Sequence, residues 1–144
     1  MEDEIASRIK ASFERQSFMQ TVGAELTSVE PGQVTIEWPY SLALTQQHGF
    51  LHAGVVAALA DSSCGYAALT LMPADVAVLS VEFKVNLMKP AAGDRFRAIG
   101  KVIRAGRTLT VCAAEVHAHL EGKETVIAIM QATMMAVRDN SLVD

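Results

Sequence analysis

Aromatic and charged side chains are both scarce in this sequence, and that scarcity narrows the classes of function. Aromatic residues make up 6% of the 144 residues, and the formal net charge is −4. Nucleic-acid binding relies on a basic balance and on rings that stack on bases, so it is disfavoured. Hydrophobic residues reach 51% against 19% charged, which excludes disorder and indicates an outer surface covered by a partner chain. We expect one domain, 1–144, in a homo-oligomer.

Cysteine is rare, and no segment has the composition of a targeting or membrane signal. Cys64 and Cys112 lie in apolar runs, which is typical of buried reduced thiols in a reducing compartment. The acidic segment 1–10 contains no apolar secretory region. The apolar stretch 49–72 contains Asp61, whose insertion into a bilayer costs ~2.5–3.5 kcal/mol. We therefore expect a cytoplasmic protein without a membrane partner.

The hydrophobic pattern changes from a helical period to a period of two along the chain. Ile5, Ile9 and Phe13 predict an N-terminal amphipathic helix, placed within 1–20. A hairpin follows around Pro31, and then a helix rich in small residues, at about 52–71. Four antiparallel strands complete the pattern, at about 76–87, 94–104, 107–120 and 123–137.

The first long strand alternates apolar and polar residues, which predicts one buried and one polar face. The last strand is apolar on both sides and is expected to be central or covered. A helix with many small residues can lie close to a twisted sheet that curls round it. The predicted fold class is therefore α+β, a hotdog fold in which a long central helix is wrapped by a curved antiparallel sheet, with its core at 24–138.

Asp61 is the single charged residue between positions 49 and 72, in the middle of the predicted central helix. A buried carboxylate is costly unless it is paired or hydrogen-bonded. One interpretation is structural, with the carboxylate satisfied by Ser62, Ser63 or a strand residue. The other, which we favour, makes Asp61 a general base or nucleophile.

His52 precedes Asp61 by nine residues, which places the two side chains on opposite sides of one helix. If both are functional, the site must combine His52 of one subunit with Asp61 of another. The helix start also offers free backbone N–H groups and a partial positive charge, which suit a developing oxyanion. The amides of Ala53 and Gly54 are the candidates, and a side-chain donor is available from Gln46, Gln47 or His48.

Metal binding and thiol chemistry are weaker interpretations. His48 and His52 have the spacing of two helical ligands, but no Glu-x-x-His or Cys pair completes a site, so we predict no metal. His117 and His119 share one strand face and are expected to be solvated or at an interface. Seven Lys and Arg residues lie between positions 84 and 107, where there is one Asp. Such a basic cluster is either a solvated face or a surface that attracts phosphates.

The motifs "HGFLHAGVVAALAD", "SVEFKVNLMKPA" and "RAGRTL", in that order, resemble the hotdog-fold acyl-CoA thioesterases of the phenylacetate-degradation branch, within the 4-hydroxybenzoyl-CoA thioesterase superfamily. The resemblance covers about 20–138. It implies a site shared between two subunits, in which an acid matching Asp61 is base or nucleophile and a serine matching Ser80 contacts the attacking water. It also implies that the amide matching Ala53, where the family usually has glycine, polarises the thioester carbonyl.

The same resemblance assigns further residues. His52 would orient substrate or support its loop, and Gln46 or Gln47 stands where an asparagine usually assists the carbonyl. Coenzyme A, as part of the substrate and with no other cofactor, would contact residues on two segments: Asn86, Lys89 and Pro90, and Arg104, Gly106, Arg107 and Thr108.

The function expected from these residues is hydrolysis of an acyl-CoA thioester to free acid and CoA. The alternative is a non-catalytic acyl-CoA-binding hotdog module. A hotdog hydratase is not supported, because the sequence lacks the histidine pattern that those enzymes show. The acyl group is left open, with Phe50, Leu51, Tyr66 and Leu69 as expected neighbours, and so is the choice between dimer and tetramer.

Overall fold

A six-stranded antiparallel sheet curls round one long helix in this computed structural model, which describes residues 2–142 and 144. The helices are α1 (Glu2–Glu14), α2 (Ser17–Val22) and α3 (Ala53–Leu69), and the strands are β1 (Glu25–Glu30), β2 (Gln33–Pro39), β3 (Ala77–Leu87), β4 (Arg95–Ala105), β5 (Leu109–Leu120) and β6 (Lys123–Val137). A short 3-10 helix, Leu42–Leu44, lies between β2 and α3. The sheet order is β1-β2-β4-β5-β6-β3.

The small residues of α3 allow the helix to lie directly against the sheet. A Cβ atom at Gly100 on β4 would collide with the backbone of Ser63 and Cys64, so the closest approach needs glycine on the strand. Both Leu59 and Leu69 of α3 are fully buried. This arrangement confirms the predicted α+β hotdog fold.

The prediction for the N-terminal helix is correct about the buried face and wrong about the length. Ile9 and Phe13 are buried against the core, as the periodicity predicts. The expected single helix is instead two, because α1 ends at Glu14 and Gln16 has extended backbone angles before α2 begins. The central helix is two residues shorter at its end than the expected 52–71.

Strand β3 departs most from the expectation of a buried apolar face. Its side chains at Leu79, Val81, Phe83 and Leu87 are each about half exposed in the single chain. Two causes are visible: β3 is an edge strand, paired on one side with β6, and its register shifts between Ser80 and Glu82. The apolar alternation therefore describes a face that this chain alone does not cover. Strand β6, by contrast, lies inside the sheet between β5 and β3, as predicted.

Both cysteines are free and buried, which confirms the predicted thiols. Burial raises the pKa of the Cys112 thiol to about 11 and that of Cys64 still further. Asp61 adds to the rise at Cys64, so this thiol is a poor nucleophile, as the sequence indicates. Among the described residues, no helix combines the length and the apolar character needed to cross a membrane.

Candidate active site

Asp61 lies in the middle of α3, with its carboxylate aimed at β3. The hydroxyl of Ser80 donates to Asp61 Oδ1 over 2.6 Å. Burial raises the pKa of Asp61 above its usual value, and the hydrogen bond from Ser80 opposes part of that rise. Ser80 is the strand residue that the structural interpretation of Asp61 allowed for, so that interpretation is confirmed in part. Ser63 instead donates to the carbonyl of Ala60 over 2.7 Å. A partly buried carboxylate with a raised pKa and one hydroxyl partner is suited to accept a proton.

A small pocket of about 140 Å³ opens beside this carboxylate, and we call it the Asp61 pocket. Its lining residues come from α3, β3, β6, the α1–α2 junction and the last residue: Gln16, Asp61, Ser62, Gly65, Tyr66, Val78, Ser80, Met134 and Asp144.

The start of α3 is built so that one backbone amide stays free. His52 caps the helix, and its Nδ1 accepts from the N–H of Gly54 over 2.8 Å. The carbonyl of His52 accepts from the amides of Val55 and Val56. Among the described residues, the N–H of Ala53 has no acceptor. Of the two predicted oxyanion donors, the Gly54 amide is occupied by the cap and the Ala53 amide remains available.

Gln46 sits in the loop that leads into α3, and its side chain is fixed by that loop. Its Oε1 accepts from the backbone N–H of His48 over 2.5 Å and of Phe50 over 3.3 Å. The carboxamide nitrogen has no acceptor among the described residues, so its N–H groups are available. Tyr40 anchors the same loop by donating to the carbonyl of Gly49 over 2.9 Å.

Gln46 and Ala53 share a second pocket, of about 400 Å³, which we call the helix-start pocket. Gln47 is exposed and does not line it. The lining is mostly apolar: Gln46, Phe50, Leu51, Ala53, Val56, Leu87, Met88, Lys89, Pro90, Ala91 and Ile127.

The Asp61 pocket and the helix-start pocket lie at opposite ends of β3. Ser80 lines the first and Leu87 lines the second, and the rise of seven residue steps along the strand places them roughly 23 Å apart. The two pockets share no lining residue. Within one chain the carboxylate and the free amide are therefore apart, as the nine-residue spacing along α3 predicts.

The residues expected to contact CoA divide between these ends. Lys89 and Pro90 line the helix-start pocket. Asn86 does not join them: it lines a groove on the outer face of the sheet beside Lys84, because neighbouring strand residues point to opposite faces. The others are exposed where β4 meets β5: Arg104 lies near the end of β4, and Gly106, Arg107 and Thr108 form the turn that follows.

Two members of the basic segment are already paired. Arg95 lies 3.2 Å from Glu25 and 3.5 Å from Glu37, and Arg97 pairs closely with Glu124. Lys89, Arg104 and Arg107 have no acidic partner among the described residues and stay available for phosphates.

The two histidines of β5 each lie beside an acidic side chain. His117 lies 3.1 Å from Glu115, and His119 lies 3.3 Å from Asp94. In the described part of the chain, no group of three or more potential metal ligands comes together. Of the expected acyl neighbours, Phe50 and Leu51 line the helix-start pocket and Tyr66 lines the Asp61 pocket. Leu69 is fully buried and lines neither of the two pockets, so that expectation is wrong.

Sequence reasoning missed one cluster, at the end of the Asp61 pocket. Gln16 Nε2 donates to the Tyr66 hydroxyl over 2.9 Å, and Ser12 Oγ lies 3.2 Å from the same hydroxyl. Ser12 donates to Asp144 Oδ1 over 3.1 Å, and the N–H of Val78 donates to Asp144 Oδ2 over 2.7 Å. These contacts join residues 50 to 132 positions apart, so no local pattern could have indicated them.

A hotdog domain that has a partly buried acid and a free amide at the start of its central helix has the features expected of a thioesterase. Sequence comparison supports this class. The profile of the thioesterase superfamily matches residues 48–124. The chain belongs to this superfamily, and its general chemistry is thioester hydrolysis.

Individual relatives carry related names. A crystal structure of a thioesterase family protein from Silicibacter pomeroyi is 50% identical and covers 94% of this chain and 99% of its own, with a TM-score of 0.93. A protein from Saccharolobus solfataricus, named only as a candidate esterase, is 30% identical over 80% of this chain and 81% of its own length.

Two more distant proteins are relevant to the expected family. The 1,4-dihydroxy-2-naphthoyl-CoA hydrolase of Listeria monocytogenes is 26% identical over 64% of this chain and 75% of its own. The PaaI protein from the phenylacetic acid degradation operon of E. coli is 18% identical and covers 94% of this chain and 95% of its own. Its TM-score is 0.83, which shows a shared fold.

Proposed function

We propose that this protein hydrolyses acyl-CoA thioesters to the free acid and CoA, in a site formed by two copies of the chain. The observation that carries the proposal is the Asp61 carboxylate, raised in pKa by burial and held by Ser80, in a chain whose free helix-start amide lies in another pocket. The superfamily assignment supports thioester hydrolysis, and the hydrolase from Listeria monocytogenes supports a CoA ester as the substrate.

The proposed reaction uses these two groups in sequence. Asp61 removes a proton from a water molecule, whose oxygen bonds to the thioester carbonyl carbon. Negative charge develops on the carbonyl oxygen, where the N–H of Ala53 and the carboxamide of Gln46 donate to it. The carbon–sulfur bond then breaks, and the thiolate of CoA leaves with the proton from Asp61. In the alternative route Asp61 attacks the carbonyl carbon itself, and the carbon–sulfur bond breaks to release the CoA thiolate. Water then cleaves the resulting mixed anhydride, which releases the free acid and restores the carboxylate of Asp61.

Strand β3 supplies the argument for two copies. It leaves an edge of 11 residues unpaired, with Leu79, Val81 and Phe83 about half exposed. If two copies pair antiparallel along this edge, the Ser80 end of one strand lies next to the Leu87 end of the other. The Asp61 pocket of each subunit then adjoins the helix-start pocket of its partner, and each site gains both an acid and an oxyanion donor.

The remaining residues have supporting roles in this proposal. His52 fixes the helix start by occupying the Gly54 amide, which leaves the Ala53 amide for the carbonyl. The cations Lys89, Arg104 and Arg107 are the proposed contacts of the CoA phosphates, because their charges are unpaired among the described residues. Thr108, Gly106 and Pro90 would line the path of the pantetheine.

The test measures CoA release from short, medium, long and aryl acyl-CoA thioesters. Asp61→Asn keeps the shape of the side chain and removes the proton acceptor, so turnover should fall by roughly 10²–10⁴-fold. The matched control is Asp75→Asn, which changes an exposed aspartate paired with Arg138 at 3.7 Å and should leave turnover unchanged.

Two outcomes would contradict the proposal: no CoA release from any thioester, or full turnover by Asp61→Asn. Equilibrium binding of intact acyl-CoA without hydrolysis would instead support the non-catalytic binding module.

A further inference from the structure

The groove on the outer face of the sheet, of about 590 Å³, is larger than either pocket of the proposed site. We call it the outer groove, and its volume falls within the range of small-molecule sites. It shares no lining residue with the Asp61 pocket or the helix-start pocket. Strands β2 to β6 contribute to its lining, which includes Lys84, Ile99, Lys101, Ala113, Ile129 and Gln131.

Two lysines lie on opposite sides of this groove, in one row across the sheet. Lys101 of β4 lies beside Ala113 of β5. Ala113 lies beside Gln131 of β6, which in turn lies beside Lys84 of β3. Three strand spacings therefore separate the Cα atoms of the lysines by roughly 14 Å. Because Ala113 is short, both flexible lysine side chains have room to reach toward the middle of the groove.

The polar groups of this row are not satisfied within the described part of the chain. Lys84 and Lys101 have no acidic partner there, and the carboxamide of Gln131 has no hydrogen-bond partner. Glu115 is the only acid among the described lining residues. Its carboxylate is directed along β5 to His117, at 3.1 Å. The row therefore offers two positive charges and one amide to an anion.

The part of the groove next to the lysine row is apolar. Ile99 and Ile129 lie on either side of Glu115 in the sheet register. They are two residues along their strands from Lys101 and Gln131, which places them roughly 7 Å from the lysine row. Ile129 is 41% exposed, so its side chain is open to a ligand. An anion held by the lysines can thus rest an attached hydrocarbon on these two isoleucines.

Charge decides between a small anion and a second copy of the chain as the occupant. If two copies docked groove to groove, Lys84 and Lys101 of both copies would come together. The only acids added from the lining would be two Glu115 carboxylates that already lie beside histidines. Like charges brought together in an interface repel each other. A small ligand with one carboxylate brings the opposite charge instead.

We propose that the outer groove binds a free carboxylic acid with an apolar body, such as a medium-chain fatty acid. The carboxylate lies between Lys84 and Lys101 and accepts from the carboxamide of Gln131. The hydrocarbon lies on Ile99 and Ile129. This inference goes beyond the proposed function and does not depend on it.

The two ligand sites are kept apart by the strand they share. Lys84 and Asn86 line the outer groove, whereas Leu87 of the same strand lines the helix-start pocket. Successive strand residues point to opposite faces of a sheet, so an acid in the groove lies behind the helix-start pocket and not in it.

The test is isothermal titration calorimetry of the protein with octanoate, octanol and acetate. Octanoate should bind saturably and at least about 10-fold more tightly than the other two, since octanol lacks the charge and acetate lacks the hydrocarbon. Lys84→Gln and Lys101→Gln combined should weaken octanoate binding about 10-fold or more. Lys123→Gln removes a charge from an exposed lysine outside the groove and should keep the wild-type affinity.

A second variant, Ala113→Leu, fills the middle of the groove and keeps both lysines, so it should also lose octanoate binding. Circular dichroism checks that each variant is folded. The proposal is overturned if octanoate does not bind, if the double lysine variant keeps the wild-type affinity, or if acetate or octanol binds as tightly as octanoate. An oligomer that dissociates on Ala113→Leu, in a protein that binds no octanoate, would assign the groove to a second copy and overturn the proposal as well.

Discussion

The helix-start pocket and the Asp61 pocket differ in what they can offer to a reacting group. The first has the free N–H of Ala53 and the free carboxamide nitrogen of Gln46, and is otherwise apolar apart from Lys89. The second has two carboxylates and the Tyr66 oxygen. Ester hydrolysis needs donors for the carbonyl oxygen and an acceptor for the proton of water. Each pocket holds half of that requirement, so we expect function to depend on joining them.

The substitution with the largest expected effect on the helix-start pocket is Ala53→Pro. Proline removes one backbone N–H and is tolerated at the first position of a helix, and His52 already has the extended angles, φ −59 and ψ 136, that precede proline. We expect kcat to fall by roughly 10²–10³-fold with the helix intact. The measurement is steady-state turnover beside circular dichroism, with Ala53→Ser as the control that keeps the amide.

Mixing this variant with Asp61→Asn tests whether the pockets meet across subunits. In a heterodimer of the two, one site receives both defects and the other receives neither. Random reassociation should therefore restore about a quarter of wild-type turnover, although each parent is nearly inactive. Absence of any recovery, in a mixture proven to exchange subunits, would rule out the shared site.

The second substitution that removes a hydrogen-bond donor from the helix-start pocket is at Gln46. Gln46→Leu removes a carbonyl donor and should lower kcat/KM about 10-fold or more. Because Gln46 also holds the amides of His48 and Phe50, Gln46→Glu is needed as a second variant that keeps an acceptor for the loop. It should lose activity to a similar extent if the donor matters. Gln47→Leu, at a residue outside the pocket, should retain activity, and equal losses in both positions would contradict the assignment.

The sequence predicts those features of each pocket that depend on residues close together in the chain. The separation of His52 from Asp61 follows from helical geometry, and the free amide follows from the position of Ala53 at a helix start. Gln46 and Gln47 are adjacent in the chain, and only the turn that closes on Gln46 Oε1 distinguishes them.

The rest depends on long-range contacts. The apolar alternation of β3 predicts a buried face, but that face is about half exposed in the single chain. Periodicity reports the chemistry of a face and not what covers it. Gln16 is a polar residue between α1 and α2, and it meets Tyr66 because Phe13 and Ser12 at the end of α1 contact the same tyrosine. Such contacts leave no spacing signal in the sequence.

The prediction with the smallest expected effect concerns the Asp61 pocket and the hydrogen bond from Ser80 to Asp61. This bond lowers the pKa of Asp61 against the larger rise from burial, so Ser80→Ala should raise that pKa further. Because the ionised carboxylate is the active form, the acidic limb of the kcat/KM profile should move to higher pH. The loss should be several-fold on that limb and small on the alkaline side, where Asp61 is ionised in both proteins.

Ser62→Ala is the matched control, since Ser62 lines the same pocket and makes no hydrogen bond to Asp61 among the described residues. Its acidic limb should coincide with that of the wild type. If the limb of Ser80→Ala stayed in place or moved to lower pH while turnover fell equally at every pH, Ser80 would act on the attacking water and not through the charge of Asp61. The pH profile thus separates two functions of one hydroxyl that a single-pH measurement would merge.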